Sequence, residues 1–209
     1  MGIKYSLDSD YFKKIDTEDK AYWLGFALAD GCVTIDKRGY KQFRFDLGMK
    51  DIDHLELFKN SLNANHPIKV YKRKHSDNCR ICIGYQEFCD DLIKVGCTPN
   101  KSGRECLSKQ VPADLMHHHI RGYFDGDGHI GNSSTNRKLI IVGSYQVLNQ
   151  IRNKIGYPSQ RIFLPKNQNI YRLNWYSKKD IYNVYNYMYR DASIFLKRKK
   201  DIFEEIYSI

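Results

Sequence analysis

The chain has 209 residues, and its 34 Lys and Arg against 24 Asp and Glu give a formal charge of +10. This length accommodates one large domain or two halves of about 100 residues each, and the charge indicates a polyanionic partner. Six cysteines without an apolar leader, and no apolar run long enough to span a bilayer, predict an intracellular protein that is neither secreted nor membrane-bound: cytoplasmic, organellar or phage-encoded.

The first half, residues 1–95, begins with an apolar helix, "AYWLGFALADGCV", which ends at Asp30. Strand-like "CVTI" and "QFRFDLGM", helix-like "DIDHLELFKNSL", strand-like "IKVYKRK" and "RICIGY", and helix-like "QEFCDDLIKVG" follow in that order. A lone CxxC, Cys79 and Cys82, falls on a predicted strand and therefore points to both of its faces, which argues against a zinc site.

Residues 96–114 contain glycine, two prolines and mixed charge, and are interpreted as a connector. The stretch "HHHIRGYFDGDGHIG" then opens the second half, residues 115–209. Pro112 suits a first helical turn, and Gly128 is expected to close the helix in the left-handed conformation. The histidines at 117–119 fan out around the helix start, where we expect a solvated polar turn.

A calcium loop of the EF-hand type does not fit this stretch, because the positions that need Gly and Glu hold Ile130 and Asn136. Asp127 is therefore interpreted as the last residue of a helix. A helix C-terminus carries partial negative charge, so a cation is expected beside this aspartate.

The order of elements repeats after Asp127: "HIGN", "KLIIVG", "YQVLNQIRNKIG", "RIFLP", "YRLNWY" and "KKDIYNVYNYMY". Asp127 lies 97 residues after Asp30 (127 − 30). The pattern predicts an α+β fold of two pseudo-symmetric tandem αββαββα repeats. A final helix is predicted at 191–207, and its basic run 197–200 is interpreted as a solvated face.

Each of the two repeated helices carries small residues one turn apart, Gly25 and Ala29 in the first and Gly122 and Gly126 in the second. Close packing of these stripes would bring the two terminal aspartates together. Two neighbouring carboxylates need a cation, and Mg²⁺ binds one or two carboxylates while taking phosphate oxygens as further ligands. The pair is thus suited to metal-assisted phosphodiester hydrolysis.

"WLGFALADG" and "IRGYFDGDG" resemble two copies of the LAGLIDADG signature, and from about residue 10 onward the chain resembles the single-chain LAGLIDADG homing endonucleases. The resemblance implies a functional monomer, an internal pseudo-dimer with the signature helices at its interface. Its two antiparallel sheets would form a saddle in the DNA major groove. It implies Mg²⁺ at Asp30 and Asp127, with Ca²⁺ expected to bind without supporting cleavage.

Two departures from the family pattern concern residues near the site. The sixth signature position holds Leu28 in one copy and Asp125 in the other. This departure is expected to do little harm to function, because the position does not bind the metal. Met49 and Ser144 fall where the family often has Gln or Lys. Lys50 and Lys178 are the nearest basic residues that could serve as auxiliary catalytic groups.

Strand alternation predicts which side chains face DNA. In "QFRFDLGMK", Phe43 and Phe45 face the core, and the polar residues between them face the other way. Arg suits guanine and Gln suits adenine in a major groove. The same parity gives these candidate DNA contacts: Gln42, Arg44, Lys69, Tyr71, Arg73, Arg80, Lys138, Arg161, Arg172, Asn174 and Tyr176.

The sequence thus predicts a site-specific, metal-dependent double-stranded DNA endonuclease, a hydrolase of phosphodiester bonds. An intron RNA maturase and a non-cleaving DNA-binding regulator on the same scaffold remain alternatives. A small-molecule enzyme is a more distant one, since the sequence contains no cofactor or nucleophile motif.

Overall fold

The computed structural model describes residues 5–72, 74, 76–131 and 137–207. The helices are α1 (Glu18–Asp30), α2 (Ile52–Ser61), α3 (Gln86–Lys94), α4 (Met116–Asp127), α5 (Tyr145–Ile155), α6 (Lys178–Tyr189) and α7 (Lys197–Tyr207). The strands are β1 (Gly31–Ile35), β2 (Lys41–Gly48), β3 (Lys69–Tyr71), β4 (Asn78–Ile83), β5 (Gly128–Ile130), β6 (Leu139–Gly143), β7 (Ile162–Phe163) and β8 (Tyr171–Trp175). Short 3-10 turns, Met49–Asp51 and Ala113–Leu115, precede α2 and α4.

The strands form two four-stranded antiparallel sheets with the same topology, β1-β2-β4-β3 and β5-β6-β8-β7. One face of each sheet is covered by helices, and the other, the open face, carries the half-buried and exposed residues of the alternating strands. The predicted α+β fold with tandem αββαββα repeats is confirmed. None of the helices in the described ranges is long and apolar enough to cross a membrane.

The signature helices α1 and α4 pack against each other at backbone contact. A Cβ added to Gly25 would lie 1.9 Å from the His119 carbonyl oxygen, and one added to Gly122 would lie 2.0 Å from the Tyr22 carbonyl oxygen. His119 and Gly122 each lie 97 residues after their counterparts Tyr22 and Gly25 (119 − 22 and 122 − 25), so the two contacts are related by the internal pseudo-symmetry. The helices can approach this closely only because these positions lack side chains.

The prediction that Gly128 closes its helix in the left-handed conformation is wrong. Gly128 has φ −96° and ψ 161°, so the chain passes from α4 directly into β5, as it does from α1 into β1 at Gly31. Glycine is needed there for space, because a Cβ on Gly128 would lie 2.4 Å from the Phe124 carbonyl oxygen.

The final helix begins later than predicted, at Lys197 instead of 191. The backbone before it is held by buried acids of other elements: the amides of Ser193 and Ile194 donate to Glu18, and the amide of Leu196 donates to Asp125 at 2.7 Å. These tertiary hydrogen bonds replace the intrahelical ones that a longer helix would form.

The prediction of a solvated turn at the histidines is also wrong. His118 and His119 are buried in α4. The Nδ1 atom of His119 lies 3.2 Å from the Ala21 carbonyl oxygen of α1, and its Nε2 accepts from the Ser108 amide of the connector. Burial lowers the pKa of His119 to about 4, so the ring is neutral and serves the helix interface.

Candidate functional site

Asp30 and Asp127 lie side by side where α1 and α4 end. A Cβ added to Gly126 would lie 3.2 Å from Asp30 Oδ2, so the two helix ends are in direct contact. Asp30 is exposed and Asp127 half-buried, so both residues are accessible to a ligand. The packing of α1 on α4 therefore creates a divided acidic pair.

Desolvation and neighbouring charges shift the pKa of both carboxylates in this pair. Partial burial, followed by the charge of Asp30, raises the pKa of Asp127 to about 7. Asp30 is exposed at the end of its helix, but desolvation of its carboxylate by the packed helix ends still raises its pKa, while the charges of Lys199 and Lys101 act in the opposite direction. Two carboxylates at close range disfavour each other's ionisation, and a bound cation relieves that cost.

Two lysines outside the signature helices cap the helix ends. Lys199 Nζ donates to the carbonyl oxygens of Phe124 and Asp125 at 2.7 Å and of Gly128 at 2.6 Å. Lys101 Nζ donates to the Ala29 carbonyl oxygen at 2.8 Å. The cation expected beside the helix-terminal aspartates is thus present at both helix ends, supplied by the connector and by α7.

The interpretation of the 197–200 run as a solvated face is wrong for Lys199. Lys199 is 3% exposed, and burial lowers the pKa of its ammonium group to about 8. Arg198 forms a bidentate ion pair with Asp51, with Nε–Oδ1 and Nη2–Oδ2 distances of 2.7 and 2.9 Å. Helix α7, the last element of the second half, therefore bonds directly to the first half.

Asp125, at the sixth signature position, is a buried structural hub. Its Oδ1 accepts from the Tyr189 hydroxyl at 2.5 Å, and its Oδ2 accepts from the Tyr22 hydroxyl at 2.8 Å and from the Leu196 amide. These bonds join α4 to α1, to α6 and to the segment that positions Lys199.

The two lysines predicted as auxiliary catalytic groups lie on different elements. Lys178 begins α6, with its Nζ over the Tyr207 ring at 5.5 Å, in a surface groove formed by α6 and α7. Lys50 is an exposed residue of the first 3-10 turn. The lysines whose charges act on both acids are Lys101 and Lys199.

Sequence reasoning missed these two lysines, because both lie far along the chain from the aspartates and reach the helix ends only through the fold.

The first sheet carries most of its predicted contacts on its open face. Gln42, Arg44, Lys69 and Tyr71 lie there half-buried or exposed. Arg80 is also there, ion-paired to Asp46. Its guanidinium lies 4.7 Å from the Tyr71 ring centroid. The predicted contact Arg73 lies outside the described residues.

The second sheet presents its predicted contacts less uniformly. Tyr176 and Arg161 are exposed, and Arg172 and Lys138 are half-buried. Asn174 is only 6% exposed, and its amide donates to the Tyr176 hydroxyl at 2.7 Å. The prediction of Asn174 as an open base reader is therefore not met in this conformation, because its amide group is covered.

The donor set at the helix ends fits magnesium better than a transition metal. Within the described residues no group of three or more His, Cys, Asp and Glu side chains is placed to hold a metal ion. Mg²⁺ does not require such a cage, since it retains waters and binds through one or two carboxylates plus phosphate oxygens. Asp30 and Asp127 supply that number of carboxylates.

Comparison with solved structures identifies the architecture. The meganuclease I-AabMI bound to uncleaved DNA superposes with a TM-score of 0.59 at 14% identity, over 90% of this chain and 88% of that one. The homing endonuclease I-WcaI bound to its DNA recognition sequence gives 0.61 at 16% identity, over 91% and 90%. The chain has the two-motif LAGLIDADG fold.

The same fold extends to a second kind of protein. The N-terminal LAGLIDADG domain of DUF199/WhiA superposes with a TM-score of 0.57 at 17% identity, over 93% of this chain and 95% of that one. No protein-family model and no curated protein sequence matches the chain.

Proposed function

We propose that this LAGLIDADG protein is a site-specific endonuclease that hydrolyses both strands of a long double-stranded DNA site with a divalent metal, as expected of a homing endonuclease. A fold shared by meganucleases and the WhiA domain does not by itself specify cleavage. The observation that carries the proposal is the acidic pair Asp30 and Asp127 with a lysine at each helix end.

Each group in the site has a role that its position supports. Asp30 and Asp127 would hold the metal, one from each pseudo-symmetric half. Bound Mg²⁺ would polarise the scissile phosphate and lower the pKa of a coordinated water. Lys101 and Lys199 fix the ends of the helices that carry the acids, and their charges balance part of the carboxylate charge. With one acid in each half, both DNA strands could be cut from one centre.

The sheets supply the recognition surface of this proposal. A two-stranded β-ribbon fits the B-DNA major groove, and side chains from the open faces can contact base edges. The formal charge of +10 favours association with the phosphate backbone. The solved meganuclease neighbours described above are complexes with DNA, which supports double-stranded DNA as the partner.

Selection from a randomised plasmid library in Mg²⁺ tests the proposal, because it measures cleavage and identifies the site together. Asp30→Asn and Asp127→Asn keep side-chain size and remove a charge, so each variant is expected to lose double-strand cleavage by orders of magnitude and to retain DNA binding. Asp114→Asn is the matched control, since Asp114 is exposed at the opposite end of the second signature helix.

Wild-type rates in both metal-ligand variants would refute the catalytic assignment. Specific duplex binding without cleavage by the wild-type protein would point instead to a DNA-binding regulator. Tighter binding of intron RNA than of any duplex would favour a maturase.

A further inference from the structure

The register of the two sheets assigns several open-face residues of one half a counterpart in the other. Gly31, directly after Asp30, pairs with Phe45, and Gly128, directly after Asp127, pairs with Ile141. Counting along β2 and β6 from these pairs makes the following positions equivalent: Arg44 with Ile140, Asp46 with Val142, Arg80 with Arg172, and Lys69 with Phe163.

Three of these four equivalent pairs replace a charged side chain by an apolar one. In the first sheet Asp46, Arg80 and Lys69 lie in one row across β2, β4 and β3. The row at the same place in the second sheet is Val142, Arg172 and Phe163. The duplication has therefore preserved the fold and the central arginine, but not the chemistry around it.

The arginine behaves differently in the two rows. In the first sheet Asp46 holds it, with Nε–Oδ2 at 3.0 Å, and Tyr71 covers one side of its guanidinium. In the second sheet the side chain of Val142 cannot accept a hydrogen bond. Arg172 donates instead through Nη2 to Gln168 at 3.0 Å, and its buried Nε has no hydrogen-bond partner among the described residues.

The apolar side chains Ile140, Val142 and Phe163, here called the apolar strip, are half-buried and line the face that is open to a partner. Cations lie beside and within the strip: Lys138 just before β6, Arg161 just before β7, and Arg172, which separates Val142 from Phe163 in the row. Apolar side chains with neighbouring cations match a major groove in which a methyl-bearing base edge lies between two phosphate backbones.

We propose that the second sheet reads its half of the DNA target through the 5-methyl groups of thymines, which contact the apolar strip. Thymine presents its methyl group in the major groove, and apolar side chains are the groups that recognise it. The first sheet, with Arg44 and the Asp46–Arg80 pair at the equivalent positions, reads polar base edges. The target is therefore chemically asymmetric, although the protein is pseudo-symmetric.

Strand geometry limits where these thymines lie. Ile140 and Val142 are two residues apart on one strand, which is about 6.8 Å in an antiparallel sheet. Base pairs are about 3.4 Å apart along the DNA axis. Two sensitive thymines are expected about two base-pair steps from each other.

Replacing thymine by uracil tests the inference, because it removes the methyl group and leaves the base-pairing edge intact. The inference rests on the proposed function, so the duplex is the one selected in the library experiment. The half-site whose base preference relaxes in Arg44→Ala is the one under the first sheet. Each thymine of the duplex is then replaced singly, and binding is measured in Ca²⁺.

At one or two thymines of the second half-site, uracil is expected to weaken binding about fourfold, the factor that corresponds to about 0.8 kcal/mol for one buried carbon group. Thymines under the first sheet are expected to tolerate uracil. In Val142→Ala the uracil penalty should disappear at one position, whereas in Arg44→Ala it should remain.

A variant that adds an acidic side chain to the second sheet provides a second test, in which the preferred base pair is measured. Val142→Asp installs beside Arg172 the acid that Asp46 provides beside Arg80, and it is expected to shift the preferred base pair at that position away from T·A. A second half-site without thymine, or one in which every uracil is tolerated, overturns the inference while specific cleavage leaves the proposed function standing. If the library yields no preferred duplex, the proposed function fails and the inference fails with it.

Discussion

Asp127 must lose a proton before it can bind a metal at acidic pH, because burial and the nearby Asp30 raise its pKa to about 7. Metal binding then competes with protonation below pH 7. The affinity for Ca²⁺, measured by calorimetry in the presence of target duplex, is expected to rise about tenfold per pH unit below 7 and to level off above it.

Lys101 provides a variant that moves this pH profile without touching the carboxylates. Its charge lowers the pKa of Asp127, so Lys101→Met should shift the midpoint of the profile to higher pH. Lys109→Met is the matched control, since Lys109 is an exposed lysine of the same connector. A profile that is flat in the wild-type protein would contradict the assignment of Asp127 as a metal ligand.

Asp125→Asn is expected to lower the free energy of unfolding and is therefore not expected to be a neutral substitution. Both carboxylate oxygens of Asp125 accept hydrogen bonds from buried donors, and the amide nitrogen of Asn cannot accept one. Leaving a buried donor unsatisfied costs about 1–3 kcal/mol, which urea unfolding would detect as a lower midpoint at unchanged slope. An unfolding curve identical to that of the wild-type protein would exclude the hub role.

Whether the role of a residue can be predicted from the sequence depends on whether the residues that determine it are close in the chain. Asp30 and Asp127 could be predicted because the pattern of the neighbouring residues indicates each helix and the position at which it ends. Lys101, Lys199 and Asp125 could not be assigned from their neighbours, since their partners lie on other elements.

Among the elements, the contact between α1 and α4 is the most sensitive to added volume. Gly122→Ala places a methyl group where the Tyr22 carbonyl oxygen would be 2.0 Å away. We expect a loss of about 1–3 kcal/mol or more through overpacking, which exceeds the gain in helix propensity of about 1 kcal/mol. Chemical denaturation measures both this variant and its pseudo-symmetric counterpart, Gly25→Ala.

Gly48→Ala is the matched control for these two variants. Gly48 has φ −66°, and the nearest atom to an added Cβ is Lys50 Cγ at 3.9 Å. This replacement should be neutral or stabilising, because Ala fits the backbone conformation and restricts the unfolded chain. Equal effects at positions 48 and 122 would mean that the close helix contact does not determine stability.

The bounds of a helix are predicted accurately where local contacts determine them, and less accurately where contacts with residues distant in sequence do. Helix α6 spans the residues that its apolar periodicity predicts, and its N-cap Ser177 accepts from the Asp180 amide within the same turn. Helix α7 begins six residues late because the acids Glu18 and Asp125, distant in sequence, hold the preceding backbone.

At the scale of the whole molecule, two ion pairs join the two halves in addition to the contact between the signature helices. Arg121 is fully buried and donates to Glu18 Oε1 at 2.6 Å and to the carbonyl oxygens of Met188 and Ile194. With the Arg198–Asp51 pair, this network ties the C-terminal segment to the first half. The two halves are thus fixed to each other, which agrees with the proposal that both sheets contact the same duplex.

The salt dependence of DNA binding measures how much of that surface contacts phosphates. Each phosphate contact contributes about 0.9 to the slope of log binding constant against log salt, so about six contacts would give a slope near −5.

Lys69→Ala and Lys138→Ala should each reduce the magnitude of the slope by about 0.9 and weaken binding to all sequences alike, if these lysines contact phosphates. Lys178→Ala should leave the slope unchanged, because that lysine lies in the α6–α7 groove. Filter binding or fluorescence anisotropy between 50 and 200 mM salt, a range over which six to ten contacts cost about 10³–10⁵ in affinity, would resolve these differences. A wild-type slope near zero would exclude binding of the sheets along the DNA groove.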